Sequence, residues 1–169
     1  MNQRDMFFKW LFYSLATLLG LLIQALVLNR LDLWQGVHPF LPPILAICPA
    51  ILEGREESTF FAVGLGLVLD LLIPTNFPAF YTISFVLLAL LTKQIANRII
   101  VPGFVCAFVC GALALVLTNL LRFVLVSAHG GADLTAVALL SLRELVLTLP
   151  LIPLYFWLCR KIYLRMRDL

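Results

Sequence analysis

A chain of 169 residues that is 63% hydrophobic and only 12% charged, with a mean hydropathy of +1.05, carries about half of the charged coat, roughly a quarter of all residues, that a water-soluble domain needs. Its surface therefore faces lipid, and its length allows a single domain with no sizeable part outside the bilayer. The net charge of +3 includes no basic run with interleaved aromatics, which argues against nucleic acid as a partner, so the twelve Lys and Arg residues matter by their placement rather than by their sum.

The first apolar run, 10–28, is long enough for a hydrocarbon core of about 30 Å at 1.5 Å per residue. Arg4 and Lys9 before it imitate a signal peptide, but the run is too long for a signal core and no small-x-small cleavage site follows. It is expected to be an uncleaved anchor. Runs 40–52, 58–73 and 77–91 are shorter and marked by Pro42, Pro43, Pro49, Pro74 and Pro78, which predicts short or broken helices or re-entrant segments sheltered by protein. Runs 99–126 and 137–158 are long again.

Six spans place both termini on one side, together with Arg4, Lys9, Arg55, Lys93, Arg98, Arg160, Lys161, Arg165 and Arg167. The other side has Arg30, with Arg122 near a helix end. The positive-inside rule then makes the termini cytoplasmic, and a second run that failed to cross would abolish the bias. The expected fold is an all-α polytopic bundle of six transmembrane helices.

An ionisable residue inside a span costs roughly 2.5–3.5 kcal/mol on insertion scales and needs a reason. Asp70 closes the face Ala62-x-x-x-Gly66-x-x-x-Asp70, whose small residues let a neighbouring helix approach. In the fifth run Gly103, Ala107, Gly111, Ala114 and Thr118 repeat the device and end at Arg122, while the sixth carries Arg143 and Glu144. Alternating directions bring Asp70, Arg122, Arg143 and Glu144 to the outer half of the bilayer. An ion-pair layer, Asp70 with Arg143 or Arg122, is one expectation. The plainer ones are a packing role for Asp70, hydrogen-bonded to a neighbouring helix, and snorkelling arginines. A proton relay would need several acids at different depths, and only Glu144 could join Asp70.

The remaining motifs carry little chemistry. Cys48, Cys106, Cys110 and Cys159 lie in or beside apolar runs without a CxxC pair and are expected as buried small side chains. The turn Glu53-Gly54-Arg55-Glu56-Glu57 is expected to be solvated, and its paired glutamates lack the deep histidines of an intramembrane protease, because His38 and His129 lie at segment ends. His129 and Asp133, four apart, are a weak metal signal. Gly64 and Gly66 form a GxG inside an apolar helix, where packing explains them better than a nucleotide. No cofactor or metal site is expected.

In chain order, Pro42-Pro43-Ile44-Leu45, the charged turn Leu52-Glu53-Gly54-Arg55-Glu56, and the face from Ala62 through Gly66 to Asp70-Leu71 resemble the MreD family of bacterial rod-shape-determining membrane proteins. The motif covers about thirty residues; length, six predicted spans, near-absent loops and a basic C-terminal tail extend the likeness in architecture. The chain departs from the family at Ala62, where glycine is usual, and at Pro74 and Pro78, where glycines are usual. The resemblance implies a non-enzymatic protein of the bacterial cytoplasmic membrane that binds the single-span MreC. It further implies membership of the elongation machinery, with the MreB filament and the cell-wall (peptidoglycan) synthases. It also implies a fold similar to the substrate-binding component of energy-coupling-factor transporters.

That similarity supplies the alternative function, capture of a small vitamin-type molecule for transport. Polar and aromatic candidates for such a site (Trp34, His38, Tyr81, Asn119 and His129) are scattered in the sequence and form no convergent set.

Overall fold

Proline and the turns between apolar runs cut the chain into helices. The computed structural model describes residues 3–30, 36–53, 57–73, 77–98, 101, 103–128 and 134–167. Among them are seven α-helices and no β-strand: α1 (Gln3–Leu26), α2 (Pro42–Glu53), α3 (Glu57–Leu72), α4 (Phe80–Arg98), α5 (Phe104–Ala128), α6 (Leu134–Thr148) and α7 (Leu151–Arg167). Helices α1, α4 and α5 are long and apolar enough to cross a membrane, and α6 with α7 forms a fourth candidate, bent by 45°.

The helix bounds depart from the apolar runs for identifiable reasons. Helix α1 starts at Gln3 and α4 continues to Arg98, since backbone hydrogen bonding carries on through polar residues beyond the end of an apolar run. The run 137–158, expected as one helix, is two. Pro150 has no N–H to give the preceding turn, so α6 stops at Thr148. Pro153 falls in the first turn of α7, where a missing N–H costs nothing.

Helix α2 is the centre of the bundle. Every residue from Pro42 to Ile51 is buried, enclosed by α1, α3, α4, α5 and α7, as expected of a helix that is apolar all round. Pro42 and Pro43 take its first two positions, and the Leu41 carbonyl accepts the N–H groups of Ile44 and Leu45 at 2.9 and 3.2 Å. With 12 residues it measures only about 18 Å; its flanks meet protein, so it has no lipid thickness to match.

Contacts at both ends of α2 set the directions of the helices. Near one end the Gln24 amide of α1 donates to Pro39 O (2.9 Å), and its oxygen accepts Leu41 N–H (3.0 Å). At the other, Lys9 of α1 pairs with Glu53. Helices α1 and α2 are therefore antiparallel, and the rise from Lys9 to Gln24 is about 22 Å. The Trp10 and Phe61 rings, 5.7 Å apart, put the start of α3 at the Lys9 end. The Phe40 and Tyr81 rings, 6.1 Å apart, put the start of α4 at the Gln24 end. These are called below the terminal end, where α1 starts and α7 finishes, and the far end.

Candidate functional site

Asp70 stands in the last turns of α3, opposite the start of α4. The Ala79 carbonyl accepts the first helical bond of α4, from Ile83 (3.0 Å), which makes Ala79 the capping residue. Alanine has no side-chain acceptor for the exposed N–H groups of the first turn. Asp70 provides one from the neighbouring helix: Oδ1 accepts Tyr81 N–H at 2.9 Å, and Oδ2 accepts both Thr82 N–H (3.0 Å) and the Thr82 hydroxyl (2.6 Å). A carboxylate there also faces the positive end of the α4 dipole. Ala79 itself has φ of +60°, a strained value for a residue with a side chain.

One turn earlier, Gly66 makes this geometry possible. A Cβ on it would lie 2.5 Å from Thr82 Cα and 2.8 Å from Thr82 N, so the two backbones touch. Ala62, one further turn back, is fully buried. Gly64 differs, since a Cβ there would meet nothing within 4 Å, and it has no packing role.

The ion pair expected between Asp70 and Arg143 or Arg122 gives way to this cap. Helix α3 packs on α2 and α4, and α6 on α5 and α7, so Asp70 and Arg143 sit on helices that do not meet. The pair that forms is Arg122 Nη1 with Glu144 Oε2, 3.3 Å apart. The Arg122 guanidinium also lies over the Phe40 ring, 5.2 Å from its centroid, and Phe40 packs on Tyr81. Asp70 and Arg122 thus share one end of the bundle, linked through backbone and rings rather than by opposite charge. Arg143, beside Glu144, is half-buried.

Of the small residues expected on α5, Gly103 precedes the helix, and among the described residues its would-be Cβ comes within 4 Å of Val101 O alone, at 3.7 Å. Ala107 and Ala114 are buried. Gly111 is filled by Ile152 of α7, whose Cδ1 would lie 2.7 Å from an added Cβ. These small faces are occupied from within the bundle, by α4 and α7.

A cavity of about 290 Å³ opens at the far end, lined among others by Gln24, Asn29, His38, Phe40, Arg122 and Glu144. Among the described residues of the scattered polar set (His38, Tyr81 and Asn119), His38 lines it. Gln24, Asn29, Arg122 and Glu144 were not in that set, although Gln24 was legible as a lone amide in an apolar run. Non-helical backbone beside the cavity is satisfied by side chains, as buried backbone groups require. Gln24 serves Pro39 and Leu41, and Thr148 Oγ1 accepts Phe40 N–H (3.0 Å) while donating to Glu144 O (2.6 Å). Glu144 Oε1 is buried with no hydrogen-bond partner among the described residues. Guanidinium and carboxylate side by side can hold a small polar or zwitterionic group.

The terminal end holds a second polar cluster that sequence reading missed. Lys9 Nζ donates to Glu53 Oε2 at 2.5 Å, with side chains only 6% and 4% exposed, and the Tyr13 hydroxyl donates to Glu53 Oε1 at 3.2 Å. The sequence predicts a flanking charge at Lys9 and a solvated turn at Glu53, but the structure buries both side chains. Deeper, Thr17 donates to Tyr13 O (2.8 Å), so the Tyr155 hydroxyl, 3.1 Å away, donates to Thr17.

All four cysteines are buried, with Cys106 and Cys110 Sγ 3.9 Å apart. No three His, Cys, Asp or Glu side chains among the described residues gather as a metal-ligand set. Trp34, Gly54, Arg55, Glu56, Pro74, His129 and Asp133 lie outside the described residues. Comparison of the chain with protein-family models, with curated proteins and with solved structures finds no match.

Proposed function

We propose that the chain is a non-enzymatic scaffold of the bacterial cell-elongation (rod-shape) machinery, one that binds an MreC-like single-span protein and helps to organise peptidoglycan synthesis with MreB and the cell-wall synthases. The observation that carries this reading is the closure of α3 on α4. Gly66 and Asp70, which carry the resemblance to the MreD family, are the residues that let these backbones touch and cap the second helix. A polar residue at that depth has a built structural use. The proposed arrangement has six crossings with the bent α6–α7 pair as the last, cytoplasmic termini in the inner membrane, and a fold similar to the substrate-binding component of energy-coupling-factor transporters. Enclosure of α2 supports six, because a short helix shielded by its neighbours crosses without meeting lipid.

The small-residue faces are filled internally, so the partner's span has to lie against an outward helix. Helix α1 is the candidate, with 28% of its spanning window buried against 44% for α4 and α5. Co-expression with the MreC homologue of the same genome is expected to yield a complex that stays together through detergent purification. Recovery of the chain alone would remove the proposal.

The far-end cavity favours a second reading, a substrate-binding membrane component of a small-molecule transporter, since it gathers an amide, an imidazole and an ion pair that the sequence leaves apart. Mass spectrometry of the purified protein separates the two: a stoichiometric retained metabolite supports capture, and its absence beside a stable complex supports the scaffold.

A further inference from the structure

At the terminal end, α1 and α7 leave between them a groove of about 410 Å³ lined by Phe12, Leu158, Ile162, Lys161 and Arg165. Three of these side chains make an apolar floor. The other two are cations four residues apart on α7, hence on one face. Like charges at this spacing repel, and an anion between them relieves the repulsion. Glu53, the buried acid at this end, is held by Lys9 and does not neutralise them. The Lys161 ammonium lies 5.3 Å from the centroid of the Trp157 ring, and Trp157 is 61% exposed, an arrangement suited to headgroup depth, where tryptophan concentrates.

We propose that this groove binds an acidic phospholipid from the leaflet that meets the terminal end of the bundle. An acyl chain lies along Phe12, Leu158 and Ile162, and the phosphate is held between Lys161 and Arg165. An apolar floor with a cationic rim matches an amphiphile with an anionic head better than it matches an apolar helix. The guanidinium of Arg165 offers paired donors to phosphate oxygens, and the Lys161 ammonium adds a point charge. A phosphatidylcholine headgroup brings its own cation and gains less from the same rim.

The test titrates the full-length protein in detergent with phosphatidylglycerol or phosphatidylcholine and counts bound lipids by native mass spectrometry. The wild-type chain is expected to bind phosphatidylglycerol roughly tenfold more tightly than phosphatidylcholine. Lys161→Gln with Arg165→Gln is expected to abolish that preference by weakening phosphatidylglycerol binding about tenfold and phosphatidylcholine binding far less. Leu158→Trp, which fills the floor and keeps the charges, is expected to weaken both lipids. Lys93→Gln with Arg98→Gln, at the same end on α4, is expected to keep the preference. No preference in the wild-type protein, or a preference that survives loss of Lys161 and Arg165, overturns the site. Equal loss in the α4 control also overturns it, by reducing the effect to overall charge.

Discussion

Gly66→Ala is expected to destabilise the bundle by about 2–4 kcal/mol, whereas Gly64→Ala, two residues away on the same helix, is expected to be neutral or stabilising by less than about 1 kcal/mol. The contrast follows from what each added methyl meets. At Gly66 it meets backbone, Thr82 Cα at 2.5 Å, and backbone cannot rotate away as a side chain can. Helices α3 and α4 must move apart, which also lengthens the three hydrogen bonds that Tyr81 and Thr82 donate to Asp70. At Gly64 the methyl meets open space, and the helix gains only from losing a glycine. Asp70→Asn is expected to cost about 1–3 kcal/mol, since the amide keeps one acceptor and turns an NH₂ toward an N–H group it cannot bond. Unfolding in mixed micelles titrated with sodium dodecyl sulfate, followed by helix content, measures all three. Equal effects of the two glycine substitutions would refute the close approach.

A second large effect is expected at the terminal end. Glu53→Gln leaves the Lys9 ammonium without its counter-charge in a site where its side chain is 6% exposed, a loss of roughly 3–5 kcal/mol. Removing both charges, with Lys9→Met and Glu53→Gln together, is expected to recover most of it, because a buried pair owes much of its apparent strength to the penalty of orphaning one partner. The same micelle titration, run as a double-mutant cycle, yields the coupling. Small, additive single effects would mean that water reaches the pair. The pair also bears on orientation: Lys9, one of the charges at the terminal end, is neutralised by Glu53, which leaves the α7 cations a larger part of the basic surface there.

Helix positions were readable in the sequence because lipid imposes long apolar runs, and prolines and charges mark where these stop. The bounds were less so. Apolar runs report where hydrocarbon lies, whereas helix ends report hydrogen bonding, so α4 continues to Arg98 through Thr92, Lys93 and Gln94. The break between α6 and α7 was signalled by Pro150, which falls inside the run 137–158. Burial of α2 had no periodic signature, because a helix apolar on every side has no preferred face.

Asp70 stood out as a lone acid in an apolar segment. Its partners did not, because backbone N–H groups belong to almost every residue and no residue type marks them. The absent acceptor at Ala79 was the available hint. Lys9 and Glu53 are 44 residues apart in the chain, and each reads locally as a flanking charge. Only the antiparallel register of α1 and α2 brings them together.

The most direct test of the proposed bundle is the side on which each turn lies. The native cysteines are at most 1% exposed and give little background to a membrane-impermeant maleimide. With six crossings, Arg30→Cys, Ile73→Cys and Ser127→Cys are expected to label in intact spheroplasts, and Gln94→Cys and Arg160→Cys only after permeabilisation. If α2 does not cross, the pattern inverts beyond it. Labelling of Gln94→Cys in intact spheroplasts, with Ile73→Cys and Ser127→Cys protected, would contradict the six-crossing account.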